Sequence, residues 1–176
     1  MKTAMKQKPS KSWFDAKLSK VPFQGKECTA REISNVLSEY SPWIEFDDLK
    51  ADDSDEWITT VSREVASEIE KGSIVGWFQG KSEFGPRALG NRSILADSRK
   101  FEMIERINSK VKTREDFRPF APSVLKSQAS DWFDGITIEG SPYMSITVPS
   151  KVGKQEKIPA VCHVDGSSRI QTLEQG

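Results

Sequence analysis

The side chains best suited to chemistry in this 176-residue chain are cations, and they fall in three places. The first is Gly80-Lys81-Ser82-Glu83-Phe84-Gly85-Pro86-Arg87-Ala88-Leu89-Gly90-Asn91-Arg92-Ser93. Gly85 and Gly90 permit close backbone approach, and Arg87 and Arg92 are planar forks that suit bidentate contact with phosphate oxygens. Ion pairs with surface acids are the other use open to these arginines. Lys81 and Asn91 stand beside them as secondary candidates. The second group is Lys110, Lys112, Arg114 and Arg118. Arg118 lies in Phe117-Arg118-Pro119-Phe120, and a guanidinium in so apolar a frame needs an anion. That anion is either a carboxylate of the protein or a ligand. The third is Cys162-His163-Val164-Asp165-Gly166-Ser167-Ser168-Arg169, where Arg169 is a further candidate anion contact. On a strand, His163 and Asp165 would share a face. Two ligands without a third do not make a metal site, and His163 is the only histidine. Cys162 would face away from His163, so a Cys–His nucleophile pair is not expected.

A phosphate-binding P-loop is the obvious alternative for the first group and does not fit. Three residues separate Gly76 from Gly80-Lys81-Ser82 where the motif requires four. Gly85-Pro86 also follows where a helix should begin.

The elements that must position these groups read as a mixture of helices and strands. Thr29-Ala30-Arg31-Glu32 has the form of a capping box, opening a helix that Ser41-Pro42 ends near Tyr40. Val61, Val65, Ala66 and Ile69 recur at helical spacing, which predicts a helix from about Thr60 to Lys71 with Gly72 in the left-handed position after it. Ile74–Phe78 is a short apolar run of strand character leading directly into the Arg87 stretch. A ligand at the C-terminal end of such a strand is the usual arrangement in α/β sheets. A helix is expected from about Lys100 to Val111, with Phe101, Ile104, Ile107 and Val111 on one face. Glu102 and Arg106 would form an i,i+4 pair on the other. Tyr143–Val148 and Val161–Val164 read as strands. The fold class is therefore α/β or α+β.

Composition narrows the function classes. The chain has five Trp and nine Phe, too many large apolar side chains for a wholly disordered protein. No run approaches the roughly 20 apolar residues of a membrane span. The two cysteines and the lack of a signal-peptide pattern favour a reducing, cytoplasmic setting over an organelle. Lys+Arg and Asp+Glu each number 26. Residues 45–56 hold seven acids against one lysine, and read as a solvated loop; residues 81–118 hold ten cations against six acids. One basic segment in a neutral chain favours a local anion site over a nucleic-acid surface.

Together these places resemble the O-carbamoyltransferase C-terminal family, to which nodulation protein U and the enzymes that carbamoylate cephamycin and tobramycin belong. The resemblance runs through residues 75–80 and 83–97. It continues in order through Arg106-Ile107-Asn108, Lys112, Arg114-Glu115 and Phe117–Ser123. Ser141–Met144, Ile158–Val161, His163–Gly166 and Arg169–Thr172 complete it. It implies a YrdC-like twisted mixed sheet flanked by helices, preceded here by an irregular tail over 1–22. The domain would occupy 23–176 and lack its last segment, a strand with an Asn-Thr-Ser-Phe-Asn motif. Ser98 and Cys162 depart from the family's preferred Pro and Thr.

The same resemblance implies formation of carbamoyl-adenylate from carbamoyl phosphate and ATP. A separate N-terminal transferase domain, or a subunit in trans, would pass the carbamoyl group to a hydroxyl. It implies that Arg87, Lys112, Arg118 and Arg169 bind the phosphate and carbamoyl groups, with Lys112 and Arg118 as the catalytic pair. Arg92, Asn91, Lys81 and His163 are secondary. ATP would serve as substrate, no metal would bind the chain itself, and magnesium would enter only with ATP. The alternative expectation is a truncated, non-catalytic homologue that binds anions or a partner chain. Membrane and nucleic-acid partners are not expected.

Overall fold

The computed structural model describes residues 22–46, 55–113, 115 and 119–174. Residues 1–21 of the expected tail, most of the acidic loop, and Arg114 and Arg118 lie outside the described residues.

Helix α1 (Ala30–Tyr40) begins with the expected capping box: Thr29 Oγ1 accepts the Glu32 N–H at 3.2 Å, and Glu32 accepts the Thr29 N–H at 2.9 Å. The Lys26 ammonium bonded to it, with the Thr29 N–H, holds the Glu32 carboxyl down at about 2. None of α1's residues is buried, and Ile33, Val36 and Tyr40 remain exposed. Helix α2 (Asp55–Lys71) starts earlier than the apolar spacing alone suggests but ends as expected. Gly72 takes φ 97°, its N–H reaches the Ile69 carbonyl at 2.9 Å, and the Ser73 N–H reaches Glu68 at 3.0 Å. This pair of bonds is the Schellman closure that favours glycine. Arg106 adds a bond from Nη1 to the Gly72 carbonyl at 2.9 Å, so its guanidinium caps α2.

Strand β1 (Val75–Phe78) pairs antiparallel with β2 (Arg92–Leu95), in register Val75 with Leu95 and Phe78 with Arg92. The Arg87 stretch is the connection between these two strands. Helix α3 (Met103–Ile107) is shorter than expected and passes into a π-turn over Asn108–Lys112. The extra residue in that turn changes the phase of the buried face. Met103 and Ile107 are buried, whereas Val111, in the π-turn, and Phe101, in the turn before α3, both expected on the apolar face, are exposed.

Strand β3 (Ser123–Leu125) runs parallel to β6 (Gln171–Leu173), and β4 (Thr147–Pro149) antiparallel to β5 (Ser167–Arg169). The short helix α4 (Ala129–Trp132) links β3 to the β4 region. Fully buried Ile170 joins β5 to β6 and so connects the two ladders. The class is the expected mixture of helix and strand, with the described strands in three two-stranded ladders.

Two expected strands need correction. Only Thr147–Pro149 of the 143–148 region is strand, because Met144 adopts φ 53°, incompatible with an extended chain. Residues 161–164 are not strand either. Pro159 starts a single 3₁₀ turn through Val161, and the Gly166 N–H closes a turn onto the His163 carbonyl at 2.9 Å. The main core packs Phe133, Val148, Ile158, Val161 and Ile170. A second cluster of Met103, Ile107 and Ala160 touches it through Phe120.

Candidate functional site

A cleft of about 830 Å³ opens between the β1–β2 connection, the π-turn and the β3–β6 ladder. Arg87, Lys112 and Arg169 all line it, although 25 and 57 residues separate them in the chain. Asn91 lines it too. Apolar surface comes from Trp77, Leu89, Met103, Ile107, Phe120, Met144 and Val161. A largely apolar concavity with a few cationic groups is what a small anionic ligand requires.

The loop that carries Arg87 is shaped by polar contacts. Glu83 Oε1 accepts the backbone N–H groups of Leu89 at 2.7 Å, Asn91 at 2.8 Å and Arg92 at 3.2 Å. Burial works against ionisation of this carboxyl, but the backbone donors outweigh it and hold its pKa below the usual range. Gln79 Nε2 donates to the Gly90 carbonyl at 3.1 Å and to Asn91 Oδ1 at 3.2 Å, and Asn91 Nδ2 donates to the Lys81 carbonyl at 2.7 Å. Buried Gln171, on β6, donates to the Leu89 carbonyl at 2.8 Å and ties the loop to the ladder across the cleft. Gly90, at φ 118°, has open space where a side chain would start; the backbone angle, not crowding, makes glycine the residue there.

Within this frame Arg87 has a buried Nε with no hydrogen-bond partner among the described residues. A guanidinium N–H withdrawn from water and left unpaired is costly, and a ligand oxygen would satisfy it. Lys112 is exposed on the cleft rim, at the end of the π-turn and just before Thr113, which takes φ 44°.

Arg92 does not join them. Its Nη1 donates to the carbonyls of Gln79 at 2.6 Å and Asn91 at 2.8 Å, its Nη2 to that of Gly80 at 3.0 Å, and it stacks 3.5 Å from the centre of the Phe78 ring. Both uses open to it from sequence, phosphate fork and surface ion pair, give way to a brace for the turn after β1. Lys81 and His163 do not line the cleft.

The His163 turn brings the ring and Asp165 together on Ser167 rather than on one face of a strand. Ser167 Oγ donates to Asp165 Oδ1 at 2.6 Å and therefore accepts from His163 Nδ1 at 3.2 Å. The Ser167 hydroxyl, then its N–H, keeps the Asp165 carboxyl below its ordinary range. Among the described residues no group of three or more His, Cys, Asp or Glu side chains comes together as a metal site. No described helix is long and apolar enough to cross a membrane.

The sequence reading missed Glu83 and Gln171, which position the loop. The only sign of Glu83 was an acid set between glycines in a basic stretch; Gln171 carries none.

Comparison with known proteins decides the family. The model of the carbamoyltransferase C-terminus matches residues 66–176. The chain belongs to the carbamoyltransferase C-terminal family. Among its relatives, nodulation protein NolNO of Sinorhizobium fredii is 48% identical over 116 residues, which is 65% of this chain and 17% of that protein. Nodulation protein NolO of Bradyrhizobium diazoefficiens is 46% identical over 118 residues, covering 65% and 21%. Nodulation protein U of Sinorhizobium fredii is 45% identical over 112 residues, covering 64% and 20%. The chain thus spans about a fifth of the length of these relatives. The family match begins inside α2, so α1 lies upstream of it.

Proposed function

We propose that residues 23–176 act as a carbamoyl-adenylate-forming domain, with carbamoyl phosphate and ATP bound in the cleft. The observation that carries this reading is the convergence of Arg87, Lys112 and Arg169 on one cavity, with the Arg87 Nε buried and without a hydrogen-bond partner among the described residues. Water would cleave carbamoyl phosphate to carbamate and inorganic phosphate. A carbamate oxygen would then bond to the α-phosphorus of ATP as the bond to pyrophosphate breaks. Charge develops on phosphoryl oxygens throughout, and fixed cations stabilise it best in a partly dry cleft. Arg118 is proposed as a fourth cation and, with Lys112, as the catalytic pair. A separate transferase domain or subunit would carry the carbamoyl group on to a hydroxyl acceptor, in keeping with the much greater length of the relatives.

The test is exchange of labelled pyrophosphate into ATP, with and without carbamoyl phosphate. Exchange that requires carbamoyl phosphate, and that Arg87→Ala reduces at least about tenfold, is the expected result. A folded chain that binds carbamoyl phosphate but never exchanges would instead mark a non-catalytic anion-binding module.

A further inference from the structure

Among the described residues two that are not glycine hold a positive φ, Thr113 and Met144, and both belong to the cleft's surroundings. Thr113 follows Lys112; Met144, at φ 53° and half-buried, is part of the lining itself. L side chains are strained there because Cβ crowds the neighbouring carbonyl, and methionine has no short polar group to offset it.

The turn holding Met144 is pinned from outside. Ser141 is fully buried; its N–H donates to Thr172 Oγ1 at 2.8 Å and its carbonyl accepts the Thr172 N–H at 3.1 Å. Its hydroxyl accepts the Ser145 N–H at 3.2 Å, so both ends of the turn are fixed to one residue. Behind it, a Cβ on Gly140 would lie 2.6 Å from Thr172 Oγ1, so the close approach of the turn to β6 requires glycine there. Glycine or asparagine would meet this backbone demand with less strain. Strain retained in a ligand-sized cleft points to a use for the side chain.

We infer that Met144 is a specificity contact for the heterocyclic ring of the nucleotide, an assignment that rests on the proposed function. A thioether offers no charge and no donor to a phosphate, whereas its polarisable sulfur packs well against a ring. The cleft's cations serve the phosphates; Met144, with Trp77 and Leu89, supplies apolar surface in the same cavity. The left-handed backbone sets the Cα–Cβ direction of Met144, and the flexible thioether beyond it lies within the cleft lining.

Titration calorimetry of the whole chain with ATP, and separately with carbamoyl phosphate, tests this in Met144→Gly and Met144→Asn. Both variants relieve strain, so the melting temperature should hold or rise by up to about 2–4 °C. ATP affinity should fall about three- to tenfold, the size of one sulfur–ring contact, while carbamoyl phosphate affinity is unchanged. ATP affinity equal to that of the wild type in both variants would overturn the inference alone. A lowered melting temperature with equal losses for both ligands would also overturn it, by making Met144 a structural residue. A wild-type chain that binds no ATP would overturn it together with the proposed function.

Discussion

The loop that carries Arg87 and the ladders that carry Arg169 face the same cleft but are held in place differently. Between Gln79 and Arg92 only Leu89 is buried, and the shape comes from one carboxylate, three side-chain amides and a guanidinium bonded to backbone groups. Around β4, β5 and β6 the shape comes from Phe133, Val148, Ile158, Val161 and Ile170 packed together. Apolar packing is non-directional and large, so it decides whether that side of the cleft exists. Hydrogen bonds contribute less net energy but fix direction, so they decide where Arg87 points.

Phe133, which is 3% exposed, anchors the packed side. Phe133→Ala should cost about 3–5 kcal/mol of stability, the range for a buried aromatic cut back to a methyl. A urea titration measures it. A loss under about 1 kcal/mol would mean that the ladders do not depend on this core.

The next effect tests the opposite side. Glu83→Gln keeps an acceptor but removes the charge from three bonds, and should cost about 1–3 kcal/mol while weakening carbamoyl phosphate binding. The pH dependence follows from the lowered pKa of Glu83. A carboxyl whose folded pKa is depressed contributes stability fully above its unfolded value, here the ordinary 4.5, and loses it as pH falls through the folded value. The gap between wild type and variant should therefore be complete at neutral pH and close below pH 4.5. A gap that is the same at both ends of that range would show that the Glu83 charge is not what holds the loop.

Local features were legible in the sequence and distant ones were not. The Thr29 capping box, the Gly72 closure and β1 each depend on residues within one turn or strand, so residue type and spacing suffice. The strand expected at 143–148 begins only at Thr147 because Met144 turns the chain at φ 53°, in a turn whose flanking Ser141 is bonded to Thr172, 31 residues away. The phase of α3 fails at the π-turn, for which neither Val111 nor Lys112 carries a signal. Arg92 was grouped with Arg87 because the two arginines are alike in type and five residues apart. Their fates differ because β-pairing sets Arg92 over the Phe78 ring and beside the carbonyls of Gln79 and Gly80. Glu83 escaped notice because its partners are backbone N–H groups, which every residue but proline offers.

Helix α1 contributes to neither wall of the cleft. Helix α1 lies upstream of the family match and buries none of its residues, so its stability is its own. Thr29→Ala removes the acceptor of the Glu32 N–H, which should cost the helix about 1 kcal/mol. Because α1 adds nothing to either core cluster, that loss should stay local. Amide exchange within α1 should quicken about fivefold, while the global unfolding midpoint and carbamoyl phosphate affinity hold. If the midpoint falls with the cap, α1 is coupled to the fold through Pro22–Lys26, the segment that meets the Arg87 loop. There Gly25 N–H donates to the Ser82 carbonyl at 2.9 Å and Phe84 N–H to the Pro22 carbonyl at 2.7 Å. In that case the polar side of the cleft has a third support, and its geometry depends on residues that precede the family match.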